Sequence, residues 1–166
     1  MANVTLKGGE VQLRGSFLET NDLAPNFALV NQKLETLTLE SFKGKKKIIA
    51  TVVSLDTAVC KIETKKINEL ALTYPEAVVL IISKDLPFRQ KEICKTEHLD
   101  NILILSDIRP DSTFGKNYGV LIEDGPLAGL FARSIVLLNE SDKVIYSELV
   151  SEITEEPQLN ELSKHM

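Results

Sequence analysis

The chain contains two cysteines, and the first, Cys60, has the sequence surroundings of a reactive thiol. Cys60 lies three residues after Thr57, directly after an apolar run and in the first turn of a predicted helix. The unpaired N–H groups and the helix dipole at such an end favour a thiolate over a thiol, and the thiolate is the nucleophile. The hydroxyl of Thr57 is expected to point back toward the sulfur, whereas Asp56 or Thr57 can alternatively act only as a helix cap.

Each cysteine also has a less reactive interpretation. Cys60 can be a buried, inert side chain, because free cysteine is among the most buried residue types. Its position favours reactivity instead, since α/β proteins bind ligands at the carboxyl edge of the sheet. Cys94 lies in a second predicted helix and can simply be a core position. If both helices are regular, a disulfide between the two cysteines requires local unwinding.

Arg133 is a candidate partner for the thiolate. It immediately precedes the apolar run from Ser134 to Leu138, so it is expected at the start of a strand, near the edge of the sheet. A permanently charged guanidinium there stabilises a thiolate and the charge that develops on a reacting oxygen. The alternative is an exposed surface arginine, which is our interpretation of Arg14 and Arg89. For Arg109, an ion pair and a role in the site both remain open.

The segments that position these residues predict alternating strands and helices. Apolar runs predict buried strands, and apolar residues at helical spacing predict helices. The predicted strands are Ile48 to Val53, Ala77 to Ile82 and Ile102 to Leu105; the predicted helices are Thr57 to Tyr74, Pro87 to Thr96 and Pro157 to Lys164.

Two hairpins complete the pattern. Near the start of the chain, Val4 to Leu6 and Val11 to Leu13 flank Lys7-Gly8-Gly9-Glu10, whose glycines supply the positive φ angles of a tight turn. Ser134 to Leu138 and Lys143 to Ser147 form the second hairpin. The pattern predicts an α/β, thioredoxin-like fold, with a mixed central sheet, helices on both faces and an N-terminal β-hairpin.

Composition limits the class of protein. The chain has 166 residues, of which 43% are hydrophobic, and residues 1–166 are expected to form a single domain. A net charge of -5 gives no electrostatic reason to expect nucleic acid or an anionic membrane as a partner. The first residues lack a signal-peptide pattern, and no apolar run approaches the roughly 20 residues that span a bilayer, so a cytoplasmic location is expected. Two cysteines and two distant histidines do not suggest a disulfide scaffold or a zinc cluster.

The segment Ser54-Leu55-Asp56-Thr57-Ala58-Val59-Cys60 resembles the peroxidatic motif of bacterial thiol peroxidases, the atypical two-cysteine branch of the peroxiredoxins. Several other segments are similar to that family in the same order, and together they cover almost the whole chain. They are residues 83–88, 106–109, 118–120, 124–133 and 152–157, together with the N-terminal hairpin.

The resemblance implies a role for each candidate residue. Cys60 corresponds to the peroxidatic cysteine, Cys94 to the resolving cysteine, Thr57 to the hydroxyl partner and Arg133 to the activating arginine. The implied reaction reduces hydrogen peroxide or alkyl hydroperoxides through a Cys60 sulfenic acid and an intrachain Cys60–Cys94 disulfide, which thioredoxin reduces. No metal, haem or flavin cofactor is expected, and the resemblance implies a homodimer.

The sequence departs from the family at three positions. Val53 stands where the family has proline, and Glu92 and Ile93 stand where it commonly has arginine and phenylalanine. The proline, by resemblance, helps to cover the cysteine, and valine retains an N–H group and more freedom of φ. Two alternatives therefore stay open: a redox sensor or regulatory binding protein with little turnover, and a structural module with inert cysteines. A thioredoxin-type oxidoreductase is disfavoured because the chain has no Cys-x-x-Cys pair.

Overall fold

A seven-stranded mixed sheet forms the centre of the structure, a computed structural model that describes residues 4–166. The strands in chain order are β1 (Val4–Leu6), β2 (Gly9–Val11), β3 (Leu13–Arg14), β4 (Ala28–Val30), β5 (Thr36–Thr38), β6 (Lys47–Thr51), β7 (Val78–Ser83), β8 (Leu103–Ser106), β9 (Leu121–Ile122), β10 (Ser134–Leu138) and β11 (Val144–Leu149). The helices are α1 (Ala58–Thr73), α2 (Pro87–Thr96), α3 (Phe114–Asn117) and α4 (Leu159–Ser163), with a 3-10 turn at Leu39–Phe42.

The strand order in the large sheet is β11-β10-β6-β7-β8-β4-β5. Strands β6, β7 and β8 are parallel, with Ile48 opposite Val79 and Ile81 opposite Ile104, whereas β10 pairs antiparallel with β6. All five residues of β6 are buried, as expected for a strand between two neighbours. The three parallel strands end at the same edge of the sheet, so the loops that follow them meet there.

Each central strand contributes side chains to two hydrophobic clusters, one on each face of the sheet. On β6, Ile48 packs in the cluster that includes Ile67 of α1, and Ile49 packs in the cluster that includes Phe114 of α3. Residues of α2 and α4 also pack in the first cluster. The predicted thioredoxin-like arrangement, with a mixed sheet and helices on both faces, is confirmed.

Apart from the second strand of the N-terminal hairpin, the predicted helices and strands are present, several of them with shifted ends. Strand β6 ends at Thr51 rather than Val53, because the chain turns at residues 54–57, where the N–H of Thr57 donates to the carbonyl of Ser54 over 3.2 Å. Val53 is nevertheless only 4% exposed. The last helix is shorter than predicted, and the short elements β3, β4, β5, β9 and α3 and the 3-10 turn were not predicted.

The N-terminal hairpin is confirmed, but its turn has two residues rather than four. Lys7 and Gly8 have positive φ angles of 50° and 83°, and Gly9 already lies in β2, opposite Leu6. The predicted second strand, Val11 to Leu13, is therefore wrong, since Leu13 belongs to β3 and pairs with β9. A two-residue turn with positive φ at both positions matches the twist of the flanking strands. Across residues 4–166, no helix has the length and apolar character needed to cross a membrane.

Candidate active site

Thr57 is the cap of α1 and fixes the position of Cys60. The Thr57 Oγ1 accepts a hydrogen bond from the Cys60 N–H at 3.2 Å and donates to the Ser54 carbonyl at 3.2 Å. The expectation that the Thr57 hydroxyl points toward the sulfur is therefore not met in this structure. Of the two candidates for the cap, Thr57 rather than Asp56 takes this role. Cys60 consequently lies in the first turn of α1, beyond the end of β6, where free N–H groups of the helix favour an anion.

Cys60 has no exposed surface, but its surroundings are not those of an inert core cysteine. Its Sγ accepts a hydrogen bond from the Arg133 Nη1 at 3.1 Å, and Arg133 is itself only 2% exposed. The structure thus brings Cys60, Thr57 and Arg133 together, at the edge of the sheet where the sequence predicted them. A buried guanidinium is poorly screened by water, so its interaction with a thiolate is strong.

Arg133 is held by two further contacts. Its Nε donates to the carbonyl of Ile153 at 3.1 Å, and its Nη1 also donates to the Glu63 Oε2. Burial disfavours the charged form of Arg133, but the charges of Glu63 and Cys60 outweigh this effect and raise the pKa of Arg133 above its usual value. Arg133 is therefore a fixed cation shared by two acidic groups.

Glu63 is a site residue that was not predicted from the sequence. It lies one turn after Cys60 on α1, has no exposed surface, and its Oε1 has no hydrogen-bond partner among residues 4–166. Burial raises the pKa of Glu63 to about 7, against the opposing effect of Arg133. Ile62 is 49% exposed, whereas the buried face of this helix runs through Cys60 and Glu63. No sequence signal singles out Glu63, since its i, i+3 spacing from Cys60 becomes informative only once the buried face of the helix is known.

Asp85 ties the loop before Cys60 to the end of the neighbouring strand. Its carboxylate accepts hydrogen bonds from the Ser54 Oγ at 2.8 Å, the Leu55 N–H at 2.8 Å and the Ser83 Oγ at 2.6 Å. The bonds from Ser54 and Leu55 join the loop after β6 to the loop after β7, and the bond from Ser83 holds Asp85 at the end of β7. This role was not predicted, because it depends on contacts between segments about 30 residues apart.

A second link joins the same loop to α2. Arg89 donates from Nε to Asp56 Oδ2 at 3.1 Å and from Nη2 to Asp56 Oδ1 at 2.5 Å. The hydrogen bond with Arg89 is the main cause that lowers the pKa of Asp56. Arg89 is 43% exposed in its side chain, so the interpretation as a surface arginine holds, but the residue also bridges the two cysteine-bearing segments. Arg14 and Arg109 are exposed.

Cys94 lies on α2 in a different setting. It is partly exposed, it borders an open groove of about 570 Å³, and its Sγ accepts a hydrogen bond from the Gln32 Nε2 at 3.1 Å. Burial raises the pKa of the Cys94 thiol, Gln32 opposes this effect and Asp100 adds to it. Both cysteines are free thiols, and their sulfurs have different partners. The structure therefore corresponds to the reduced state.

Two other features lie at the same edge of the sheet. Val53, at the position where the resembling family has proline, is buried, and its backbone N–H donates no hydrogen bond to another backbone group in the described part of the chain. Large apolar side chains are exposed after the ends of β7 and β8: Leu86 is 56% exposed, Phe88 67% and Ile108 39%.

Comparison with known proteins identifies the family. The Redoxin family profile matches residues 19–162. The chain belongs to the Redoxin family. A thiol peroxidase of Staphylococcus epidermidis is 44% identical over 157 residues, which cover 95% of this chain and 93% of that protein. This similarity assigns the Redoxin chain to the thiol peroxidases.

Solved Redoxin structures agree with this assignment. A peroxiredoxin-like protein from Aquifex aeolicus is 39% identical and superposes with a TM-score of 0.92, covering 99% of this chain and 95% of that one. A thiol peroxidase from Chromobacterium violaceum is 27% identical, with a TM-score of 0.91 and the same coverage. The predicted family, fold and enzyme class are confirmed: this Redoxin protein is a thiol-dependent peroxidase of the peroxiredoxin type.

Proposed function

We propose that Cys60 is the peroxidatic nucleophile and that the substrates are hydrogen peroxide and alkyl hydroperoxides. The observation that carries this proposal is the 3.1 Å hydrogen bond from the buried Arg133 Nη1 to the Cys60 Sγ, in the first turn of a helix. The guanidinium and the helix terminus both stabilise the thiolate, which is the form that attacks. Because the Cys60 side chain has no exposed surface, peroxide reaches the sulfur only after a small movement of the covering residues.

The first chemical step transfers one oxygen atom to sulfur. The Cys60 thiolate attacks the nearer peroxide oxygen, the S–O bond forms as the O–O bond breaks, and the other oxygen leaves as water or alcohol after taking the peroxide's proton. The immediate product is a Cys60 sulfenate, which takes a proton from solvent to become the sulfenic acid. Arg133 stabilises the negative charge that develops on the oxygens. The Thr57 Oγ1 keeps Cys60 in place by accepting a hydrogen bond from the Cys60 backbone N–H, and the hydroxyl can rotate from the Ser54 carbonyl toward the bound peroxide.

The second step makes a disulfide. The Cys94 sulfur attacks the sulfur of the Cys60 sulfenic acid, an S–S bond forms and water leaves. Cys94 must first separate from Gln32, so α2 opens locally around it. A dithiol protein, thioredoxin, then reduces the intrachain disulfide by thiol–disulfide exchange and restores both thiols.

The proposal extends to the oligomeric state, the domain organisation and the cellular location of the protein. The exposed apolar side chains Leu86, Phe88 and Ile108 support a homodimer that covers this edge, and they suit organic hydroperoxides near the site. The chain acts as one domain, since both hydrophobic clusters share one sheet. A cycle that returns both cysteines to free thiols suits the reducing cytoplasm.

The test is steady-state peroxide reduction with thioredoxin, its reductase and NADPH. The wild-type protein should turn over continuously, Cys60→Ser should fall to background because a serine hydroxyl stays protonated, and Cys94→Ser should consume one equivalent of peroxide and then stop. Turnover retained by Cys60→Ser would remove Cys60 from its role, and full cycling by Cys94→Ser would remove Cys94. A wild-type protein that oxidises once but does not cycle would support the redox sensor, the alternative that the valine at position 53 leaves open.

A further inference from the structure

Two acidic groups share one buried cation in this structure. The Arg133 Nη1 donates to both the Cys60 Sγ and the Glu63 Oε2, and all three side chains are at most 2% exposed. The Glu63 Oε1 has no hydrogen-bond partner among residues 4–166. A carboxylate with an unpaired buried oxygen is costly, because burial without a partner penalises the charged form.

The neighbouring charges add to this cost. Glu148 on β11 and Glu156, just before α4, both disfavour a negative charge on Glu63. Lys66, on the exposed side of α1, pairs with Glu156 at 2.9 Å and partly offsets its charge. Arg133 is the direct cationic partner of Glu63, and Cys60 is the other acidic group that touches this cation. The protonation state of Glu63 therefore determines how strongly the Arg133 charge stabilises the Cys60 thiolate.

We propose that Glu63 is a positioning residue that makes the reactivity of Cys60 depend on pH, by competing with the thiolate for Arg133. The proposal rests on the role of Cys60 as nucleophile. When Glu63 is protonated, its oxygen still holds Arg133 in place and the full positive charge stabilises the thiolate. When Glu63 ionises, the cation is shared between two anions and the thiolate is less favoured.

Burial raises the pKa of Glu63 to about 7, so this competition for Arg133 changes near neutral pH. Coupling between two sites is reciprocal. When Cys60 is oxidised to a disulfide its thiolate charge disappears, and Glu63 then ionises more readily and releases its proton to solvent. The oxidised enzyme is thus expected to hold fewer protons in this cluster than the thiolate form.

The first test compares Glu63→Gln with the wild type in a Cys94→Ser background, where Cys60 is the only cysteine. Glutamine keeps the shape and the acceptor oxygen but cannot ionise. The alkylation rate of Cys60 is measured with iodoacetamide from pH 5 to pH 9. For the protein that retains Glu63, we expect the alkylation rate to rise with pH in two broad steps. For Glu63→Gln, we expect a single step at lower pH. Near pH 7 the variant should be alkylated a few-fold faster.

Glu69→Gln is the matched control, because Glu69 lies on the exposed side of the same helix, and its profile should follow the wild type. A Glu63→Gln profile with unchanged shape and midpoint, or one moved to higher pH, would overturn the proposal. If the variant folds poorly, the carboxyl of Glu63 is followed instead by carbon-13 NMR in the wild type and in Cys60→Ser. Its titration should lie near neutral pH and move to lower pH in Cys60→Ser; a midpoint below pH 5, or none of this movement, contradicts the coupling.

These measurements follow thiolate and carboxyl directly and need no turnover. If Cys60 were not the nucleophile, Cys60→Ser would still turn over peroxide. The alkylation profile and the carboxyl titration would nevertheless still show the coupling between Glu63 and Cys60. If the proposed function is correct and the coupling is not, Cys60→Ser is inactive and Glu63→Gln reproduces the wild-type profile. The two failures are therefore distinguishable.

Discussion

Cys60 has no exposed surface and accepts a hydrogen bond from the charged side chain of Arg133, whereas Cys94 is partly exposed and has a neutral amide as its partner. The first cysteine lies on α1, a helix of 16 residues, and the second on α2, a helix of 10 residues beside an open groove. The nucleophile needs fixed charges before the reaction begins, and the resolving thiol needs freedom to move afterwards. The difference indicates that the chain separates these two requirements between two helices.

The links between the two regions are of unequal strength. Asp85 holds the loop before Cys60 with two hydrogen bonds and is itself held by a third from the buried Ser83, whereas the Asp56–Arg89 pair is exposed to solvent. Exposed ion pairs contribute little to stability, so the second link can break at low cost when α2 opens. Movement is therefore expected on the Cys94 side.

The largest effect is expected from Arg133→Met, which removes the charged partner of Cys60. Oxidation of Cys60 by peroxide should slow by about 100-fold or more, because the thiolate and the developing oxygen charge both lose a donor. Stopped-flow measurement of single-turnover oxidation gives this rate. The change should not slow the attack of Cys94 on a sulfenic acid that is already formed.

Arg133→Met also leaves Glu63 without its partner, so Arg133→Met combined with Glu63→Gln guards against a loss of stability. Arg109→Met replaces an exposed arginine after β8 and should oxidise at the wild-type rate. A folded Arg133→Met protein with an unchanged rate of oxidation would exclude Arg133 from the site.

The next effect concerns stability against pH in the Cys60 region. The folded pKa of Glu63, about 7, lies above the ordinary value of 4.5, so the folded state binds more protons between these values. The free energy of unfolding should then fall as pH rises from about 4.5 to 7, by on the order of 1 to 3 kcal/mol. Urea unfolding at pH 5 and pH 8 should show a smaller fall for Glu63→Gln; an equal fall in both proteins would place the pH dependence elsewhere.

A smaller effect is expected at Val53, in the loop between β6 and Thr57. Because its N–H makes no backbone hydrogen bond within residues 4–166, proline would remove no such bond while it narrows the conformations of the loop. Val53→Pro should speed oxidation of Cys60 by about 10-fold, equivalent to about 1.4 kcal/mol of better positioning.

Val53→Ala separates the effect of the ring from that of side-chain size, since alanine keeps the N–H and the freedom of φ. Stopped-flow oxidation of the three proteins decides between them. An equal or slower rate for the proline variant would mean that valine is neutral or that the surroundings already compensate for it.

The smallest effect belongs to the Cys94 region. Gln32→Leu removes the hydrogen bond that holds the Cys94 sulfur in the closed helix, worth about 1 kcal/mol, and this bond is absent once α2 has opened. Disulfide formation after oxidation should therefore be about 5-fold faster, with the first oxidation unchanged. Lys33→Ala, an exposed change in the same loop, is the control. Slower disulfide formation in Gln32→Leu would mean that Gln32 assists the attack by Cys94.

Local sequence patterns predicted much of the Cys60 site. The order of apolar runs and helical periods encodes the sheet, and the Thr57–Cys60 spacing encodes the first turn of α1. Arg133 was predictable because it directly precedes a buried strand. These features depend on neighbouring residues, and the fold they imply is the one that the structure has.

The rest of the site depends on contacts between distant segments. Asp85 and Glu63 carry no motif that separates them from surface acidic residues, since their roles arise only when β7 and Arg133 pack nearby. The partner of Cys94, Gln32, comes from a loop 62 residues away. Elements as short as α3 and the β3–β9 pair span too few residues to show a period.

The most direct test of the central claim is to identify the bond that peroxide creates. The reduced wild-type protein is treated with one equivalent of hydrogen peroxide, blocked with an alkylating reagent, digested without reduction and analysed by mass spectrometry. We predict a peptide pair that joins Cys60 to Cys94 within one chain of monomer mass. A free Cys94 beside an over-oxidised Cys60, or a link between two chains, would contradict the proposed cycle.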